Sequence, residues 1–354
     1  MKREDILKLY NRVISVVEKL PGGIQKPILA ELEPIRSLFI EQRPPRILLL
    51  GSPLSPTAPA LFHELTDHPV ETGTATSGWR TYRIPERGAV EVLDARLDVP
   101  DGILEAAIPA GACDVVLLIL NASDADQSFE SALGSASRRI ARLRMELQRE
   151  IPVIALSWNP DDPSSTADPT DLLRTQTGFF PTAVFQLSAD TRGVACETIC
   201  SSLPLTARLE FARFTMARGA QTEIAERLLK SFAALCGLVA VQPIPLADLP
   251  ILTALQSLMV SLIVYVSGRQ VSPKLIGEFA AAVGINVGAG FIFREGARAI
   301  AKIIPVWGSA VSGVVAGAGT YAIGRAAIAY FIEGGSGSRA LKEIRKRFPL
   351  FNRQ

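Results

Sequence analysis

The 354-residue chain balances 37 Lys and Arg against 35 Asp and Glu, which argues against a partner held by the charge of the whole molecule, nucleic acid included. Hydrophobic residues make up 48 % and charged residues 20 %, and the apolar excess concentrates in the last third. Four cysteines (Cys113, Cys196, Cys200, Cys236) and two histidines (His63, His68) lack zinc-ligand spacing, so reduced structural thiols are expected and no metal centre.

The first segment, "MKREDILKLYNRV", is charged and amphipathic and lacks the apolar core of a secretory signal, so a cytoplasmic start is expected. Residues 2–20 are predicted helical, with Ile6, Leu7, Tyr10, Val13, Ile14 and Val17 on one stripe. "PGG" at 21–23 breaks the pattern, a second helix runs over 26–41, and "RPP" at 43–45 closes a helical leader spanning 1–44.

Strands and helices alternate over 45–204. "RILLLG" (46–51) is a buried strand, and "WRTYRIP" (79–85) and "AVEVLDA" (89–95) alternate as an antiparallel pair. "CDVVLLILNAS" (113–123) is a continuous apolar run of the kind found in central parallel strands. A helix at 128–150, a strand at 152–158, a strand at 183–189 and a helix near 193–202 complete the pattern. It predicts a doubly wound α/β sheet with ligands at the strand C-termini.

Residues 205–333 turn all-helical and rich in Gly and Ala, beginning with one long or broken helix. Uncharged stretches of 20, 15 and 22 residues follow Asp248, Glu278 and Lys302. The first and third match the roughly 20 apolar residues that cross a bilayer. Polar side chains (Thr253, Gln256, Ser257, Ser261) and Pro305 argue instead for a soluble bundle, and both readings stand. Gly313 and Gly317 form a G-x-x-x-G close-packing motif. Residues 334–354 hold a Gly/Ser linker and a basic helix with Arg339, Lys342, Arg345, Lys346 and Arg347, suited to an anionic membrane surface or to a solvated face.

The alternating region resembles the Ras-like GTPase domain in its Era-like and dynamin-like branch. The strand and Gly51 match the start of a P-loop. The Gly, Lys and Ser/Thr that should follow are Pro56, Thr57 and Ala58. Pro56 offers no amide to phosphate, Thr57 no positive charge and Ala58 no metal ligand. Thr72, Thr74 and Thr76 lie in a threonine-rich segment that the resemblance reads as a switch loop. Asp94 matches the Asp of Asp-x-x-Gly, but Leu97 stands at the Gly position. Asn159 and Asp162 align with the guanine-reading box, with Pro160 in place of its Lys; an Asp/Pro-rich turn is the plainer alternative. Ser188 and Ala189 match the final Ser-Ala box.

The resemblance therefore implies a degenerate, P-loop-GTPase-like domain with nucleotide-facing positions Gly51, Thr57, Thr76, Asp94, Asn159, Asp162, Ser188 and Ala189. No catalytic residue, no metal and no required cofactor is implied beyond residual GTP or GDP. The alternative is an atypical but active GTP-binding protein acting in membrane processes, its missing charge supplied by Arg46 or by a partner. The segments "PIPLAD" (243–248) and "TYAIGRA" (320–326) resemble a bacterial helical domain of unknown function found after such GTPase domains. That resemblance implies a location at the inner face of a membrane. The expected partners are the membrane itself or a GTPase-family protein, as a homo- or heterodimer.

Overall fold

The computed structural model describes residues 3–18, 22–52, 56–76, 78–96, 113–121, 127–158, 173, 181–241, 248–270, 272, 275, 278–279 and 308–334. Two helices open the chain, α1 (Arg3–Val17) and α2 (Gly22–Phe39). There follow β1 (Arg46–Gly51), α3 (Ala58–Thr66), β2 (Glu71–Thr76), β3 (Trp79–Ile84), β4 (Gly88–Asp94) and β5 (Val115–Asn121). Next come α4 (Gln127–Leu147), β6 (Val153–Trp158), β7 (Ala183–Gln186), α5 (Arg192–Ser202) and α6 (Leu205–Thr215). The chain continues as α7 (Arg218–Val241), α8 (Asp248–Val266) and α9 (Gly308–Phe331). These elements form two compact units: Arg43–Ala217, and Met1–Gln42 with Arg218–Gln354.

The first unit is built on a seven-stranded mixed sheet in the order β2-β3-β4-β1-β5-β6-β7. β4, β1, β5, β6 and β7 are parallel, and β3 runs antiparallel to both β2 and β4. The unit is therefore an α/β fold. Side chains alternate across each strand, so each buried strand feeds two cores. Leu48, Leu50, Val116, Leu118 and Leu120 join Leu133, Ala136, Ile140 and Leu143 of α4 on one face. The alternate residues Ile47, Leu49, Val115, Leu117 and Ile119 are also fully buried. On their side of the sheet, Phe62 of α3 meets Tyr82 of β3 and Phe214 of α6 at centroid distances of 5.7 and 5.9 Å.

Three local features were decided by the structure. The threonine-rich segment expected as a switch loop is strand β2, paired antiparallel with β3. Three threonines in six residues favour extended backbone, and Gly78 at φ +83° makes the hairpin turn into β3. Helix α3 was not foreseen, although Pro59 in its first turn and the buried Leu61, Phe62 and Leu65 account for it. The stretch from 205, expected as one long or broken helix, is broken at Met216, which adopts the left-handed conformation (φ 55°) and caps α6. The α/β unit therefore keeps α6, and the second unit resumes at α7.

In the second unit, α1 buries Tyr10, Val13 and Val17, and α2 buries Ile28, Leu32, Ile35, Leu38 and Phe39. Phe39 and Tyr265 of α8 have ring centroids 6.0 Å apart. The G-x-x-x-G motif of α9 finds its partner in α7 of the same chain. A Cβ on Gly317 would lie 3.0 Å from the Ala233 carbonyl oxygen, and one on Gly313 would lie 3.0 Å from that of Gly237. Gln256 of α8 donates to Thr320 Oγ1 at 3.0 Å. Arg325 of α9 bonds Glu226 of α7 at 3.1 Å and Glu333 at 3.2 Å. Among the described residues one helical stretch, Gly313–Phe331, is long and apolar enough to cross a membrane by length and composition. The basic tail and the second apolar segment beyond Phe279 lie outside the described residues.

Candidate functional site at the strand C-termini

In an open parallel sheet, ligands bind beyond the strand C-termini where the strand order reverses. Here β1 is flanked by β4 on one side and β5 on the other, so that point lies at the end of β1. Gly51 sits there with φ +105°. A Cβ on it would lie 2.1 Å from the Ile119 carbonyl oxygen of β5, so only glycine fits. The next residue, Ser52, is buried, and its N–H donates to the same carbonyl at 3.0 Å. The described residues resume at Pro56, and Thr57 precedes the first turn of α3. Thr57 is exposed and makes no side-chain capping bond, while its carbonyl accepts from Leu61 N–H at 2.9 Å.

Asp94 ends β4, in register with Leu49 of β1. Its carboxylate is taken by Arg96, whose Nε and Nη2 donate to the two oxygens at 2.8 and 2.7 Å. Nη1 of Arg96 donates to the Pro56 carbonyl at 2.7 Å, tying the end of β4 to the segment that enters α3. The Arg96 side chain is only 6 % exposed, against 35 % for Asp94. Arg139 of α4 donates to the neighbouring Ala95 carbonyl at 2.8 Å. A cation thus stands between the end of β4 and Pro56, and it is Arg96. Sequence reasoning passed over Arg96; the signal was a basic residue two places after a strand-end Asp.

Arg46 lies at the opposite end of β1. Five steps along the strand at about 3.3 Å each put it roughly 16 Å from Gly51. It bonds Glu91 Oε2 at 2.7 Å and lies over the Trp79 ring at 5.7 Å. Arg46 therefore cannot supply charge at the loop. Nearby, the buried Asp114 accepts two bonds from Arg43 at 2.6 and 2.7 Å and one from Arg46 N–H at 2.9 Å.

Of the other expected positions, Thr76 pairs with Trp79 in the β2–β3 hairpin. With Thr72 and Thr74 it lies on the exposed outer strand, three strands from β1 and roughly 14 Å away at about 4.8 Å per strand. These threonines do not meet Gly51. Ser188 and Ala189 follow β7 at the same edge of the sheet as Gly51, and the Ser188 hydroxyl is engaged with Thr191 Oγ1 at 3.0 Å. Arg192 N–H donates to the Ser188 carbonyl at 2.9 Å, so this loop is held by its own bonds. Asn159 and Asp162 lie outside the described residues. Among the described residues no group of three or more His, Cys, Asp or Glu is placed to hold a metal ion. All four cysteines are free and buried. No family model, curated protein or solved structure matches this chain.

Proposed function

We propose that the α/β unit is a degenerate, Ras-like GTPase domain that serves as an interaction module and does not hydrolyse GTP efficiently. The observation that carries this reading is the end of β1. The switch point of the sheet, a glycine that a close backbone approach requires, and the start of a helix lie near that end, and together they support the reading. The residues there are Pro56, Thr57 and Ala58, and the one cation reaching the loop backbone among the described bonds is already paired with Asp94. The alternative reading is an atypical but active GTP-binding protein, and Arg46, paired with Glu91 at the far end of β1, gives it no support.

The helical unit is proposed to dock the protein at the cytoplasmic face of a membrane or on a GTPase-family partner, a second copy of this chain included. Three large apolar side chains favour a docking role: Leu238 and Val241 at the end of α7 and Val314 at the start of α9 are exposed. The basic cluster Arg339–Arg347 adds attraction to anionic lipid of about 1 kcal/mol per residue.

Two measurements test the proposal. Magnesium with GTP or GDP is expected to leave the melting temperature unchanged, because a ligand that does not bind the folded state adds no stability. Phosphate release lost in an Asp94→Ala variant would overturn the pseudo-GTPase reading. Flotation with phosphatidylserine vesicles is expected to carry the protein upward at low salt. A chain that stays monodisperse and unbound would remove the membrane from the proposal.

A further inference from the structure

We infer that one face of the α7–α9 helix pair seats in a single lipid leaflet and holds the protein there without crossing the membrane. The inference rests on the reading of the helical unit as a docking unit, and it names lipid as the partner and the side chains that enter it.

Helix α7 turns one exposed stripe outward at helical spacing, and its chemistry changes halfway along. Glu223, Arg227 and Lys230 come first, then Ala234, Leu238 and Val241. Helix α9 runs antiparallel to α7, because Gly313 lies against Gly237 and Val241 while Gly324 lies against Leu229. The exposed Val314 and Ala318 of α9 therefore stand level with the apolar half of α7. Farther along α9 come Tyr321 and then Arg325, which bonds Glu226 of α7 at 3.1 Å. Both helices thus pass from apolar to basic side chains in the same direction, with a tyrosine at the change on α9. Hydrocarbon, then an aromatic hydroxyl, then Lys or Arg is the order that the edge of a bilayer selects. A protein partner of the same area would be met by hydrogen-bonding side chains, and these five residues offer none. From Lys230 to Val241 the helix rises about 16 Å at 1.5 Å per residue, close to half of the roughly 30 Å hydrocarbon core, so the face reaches into one leaflet. The glycines of α9 are spent on α7 and Arg325 is tied to Glu226 and Glu333, which keeps α9 in its bundle rather than across the membrane. On α8, joined at this level by the Gln256–Thr320 bond, the exposed neighbours are Thr253 and Ser257, so hydroxyls border the apolar face on that helix.

The test uses the full chain with an environment-sensitive fluorophore on Val314→Cys, Leu238→Cys or Glu223→Cys. These three positions are exposed, whereas the four native cysteines are buried and free, so labelling is selective and folding is preserved. The probe is a vesicle of phosphatidylcholine and phosphatidylserine carrying nitroxide-labelled lipid. Labels at 314 and 238 are expected to shift to the blue and to be quenched by the lipid nitroxide, while the label at 223 stays in water. Leu238→Gln/Val314→Gln should melt as wild type does and lose vesicle partition by at least about tenfold, measured at salt high enough to screen the basic tail. A double variant that partitions as wild type overturns the inference. Lipid quenching at 223 equal to that at 314 also overturns it, since the helix would then run through the bilayer. So does a blue shift that follows protein concentration without vesicles, which would give the face to a second copy of the chain and leave the docking reading standing. Flotation with all three labels in water overturns the inference and leaves the membrane to another part of the protein. Failure of the docking reading itself looks different: the protein would neither float nor self-associate.

Discussion

Gly51→Ala separates what this glycine does for the fold from what it would do for a phosphate. In the structure the added Cβ lies 2.1 Å from the Ile119 carbonyl oxygen, where real Cβ contacts stay above 3.0 Å. The oxygen belongs to the backbone of the central strand β5, so it cannot swing away as a side chain would. Retreat disrupts the bond from Ser52 N–H, which is 3.0 Å long and buried. A buried donor left without a partner costs about 1–3 kcal/mol. Holding alanine at φ +105° costs about 1–3 kcal/mol more. The expected loss is therefore roughly 2–6 kcal/mol, with no ligand present. Urea unfolding followed by Trp79 and Trp158, both in the α/β unit, reads it in a Trp307→Phe background. The comparison is made at constant m, so that a shift in midpoint reports stability alone. Gly193→Ala is the control. That glycine is exposed, lies in helix α5 and has nothing within 4 Å of an added Cβ, so the variant should gain roughly 0.4–1 kcal/mol. A Gly51→Ala protein within about 0.5 kcal/mol of wild type would refute the argument, since surface changes alone produce that much.

Asp114→Ala should destabilise the α/β unit by roughly 3 kcal/mol, because the half-exposed Arg43 and the Arg46 amide lose a buried acceptor together. Asp114→Asn should lose less, and chemical denaturation of the two variants checks the order. Burial pushes the Cys113 and Cys196 thiols up to about 12 and Cys236 up to about 11, from an ordinary 9.0. Their contribution is fully present below pH 9 and is lost as pH rises through the folded values. Stability should fall on the alkaline side of 9, less steeply in Cys196→Ala, and native protein at pH 8 should resist thiol labelling until it unfolds. The Arg192 hydrogen bond holds the exposed Asp67 carboxyl below its ordinary 3.8. Any stabilisation it gives is present above that value and fades as pH falls through the lower folded one. An NMR titration should show the Asp67 midpoint rise in Arg192→Ala, and an unmoved midpoint would deny the pair.

Much of the α/β unit was legible in the sequence because burial on both faces of a parallel strand leaves a mark that few alternatives share. The runs at Ile47–Leu50, Val115–Leu120 and Val153–Leu156 are continuous and apolar, and all three are buried strands in the sheet. The stripe Tyr10, Val13 and Val17 was likewise readable from its spacing and is buried. Local signals also placed Gly51 at a strand end, and they exposed the loss of phosphate-binding side chains at 56–58. Tertiary structure decided the rest. The three threonines of Glu71–Thr76 favour extended backbone, but whether that segment is a strand depends on β3 offering it a pairing edge. The break at Met216 came the same way: a left-handed residue other than glycine carries no signature, and its place is set by α6 packing on the α/β unit. Arg46 and Arg96 are equally basic in the sequence. Six residues of extended strand carry one to the far end of β1, while the turn after β4 folds the other back onto Asp94 and Pro56. Charge is a property of a residue, but what it neutralises depends on which strand ends the sheet brings together.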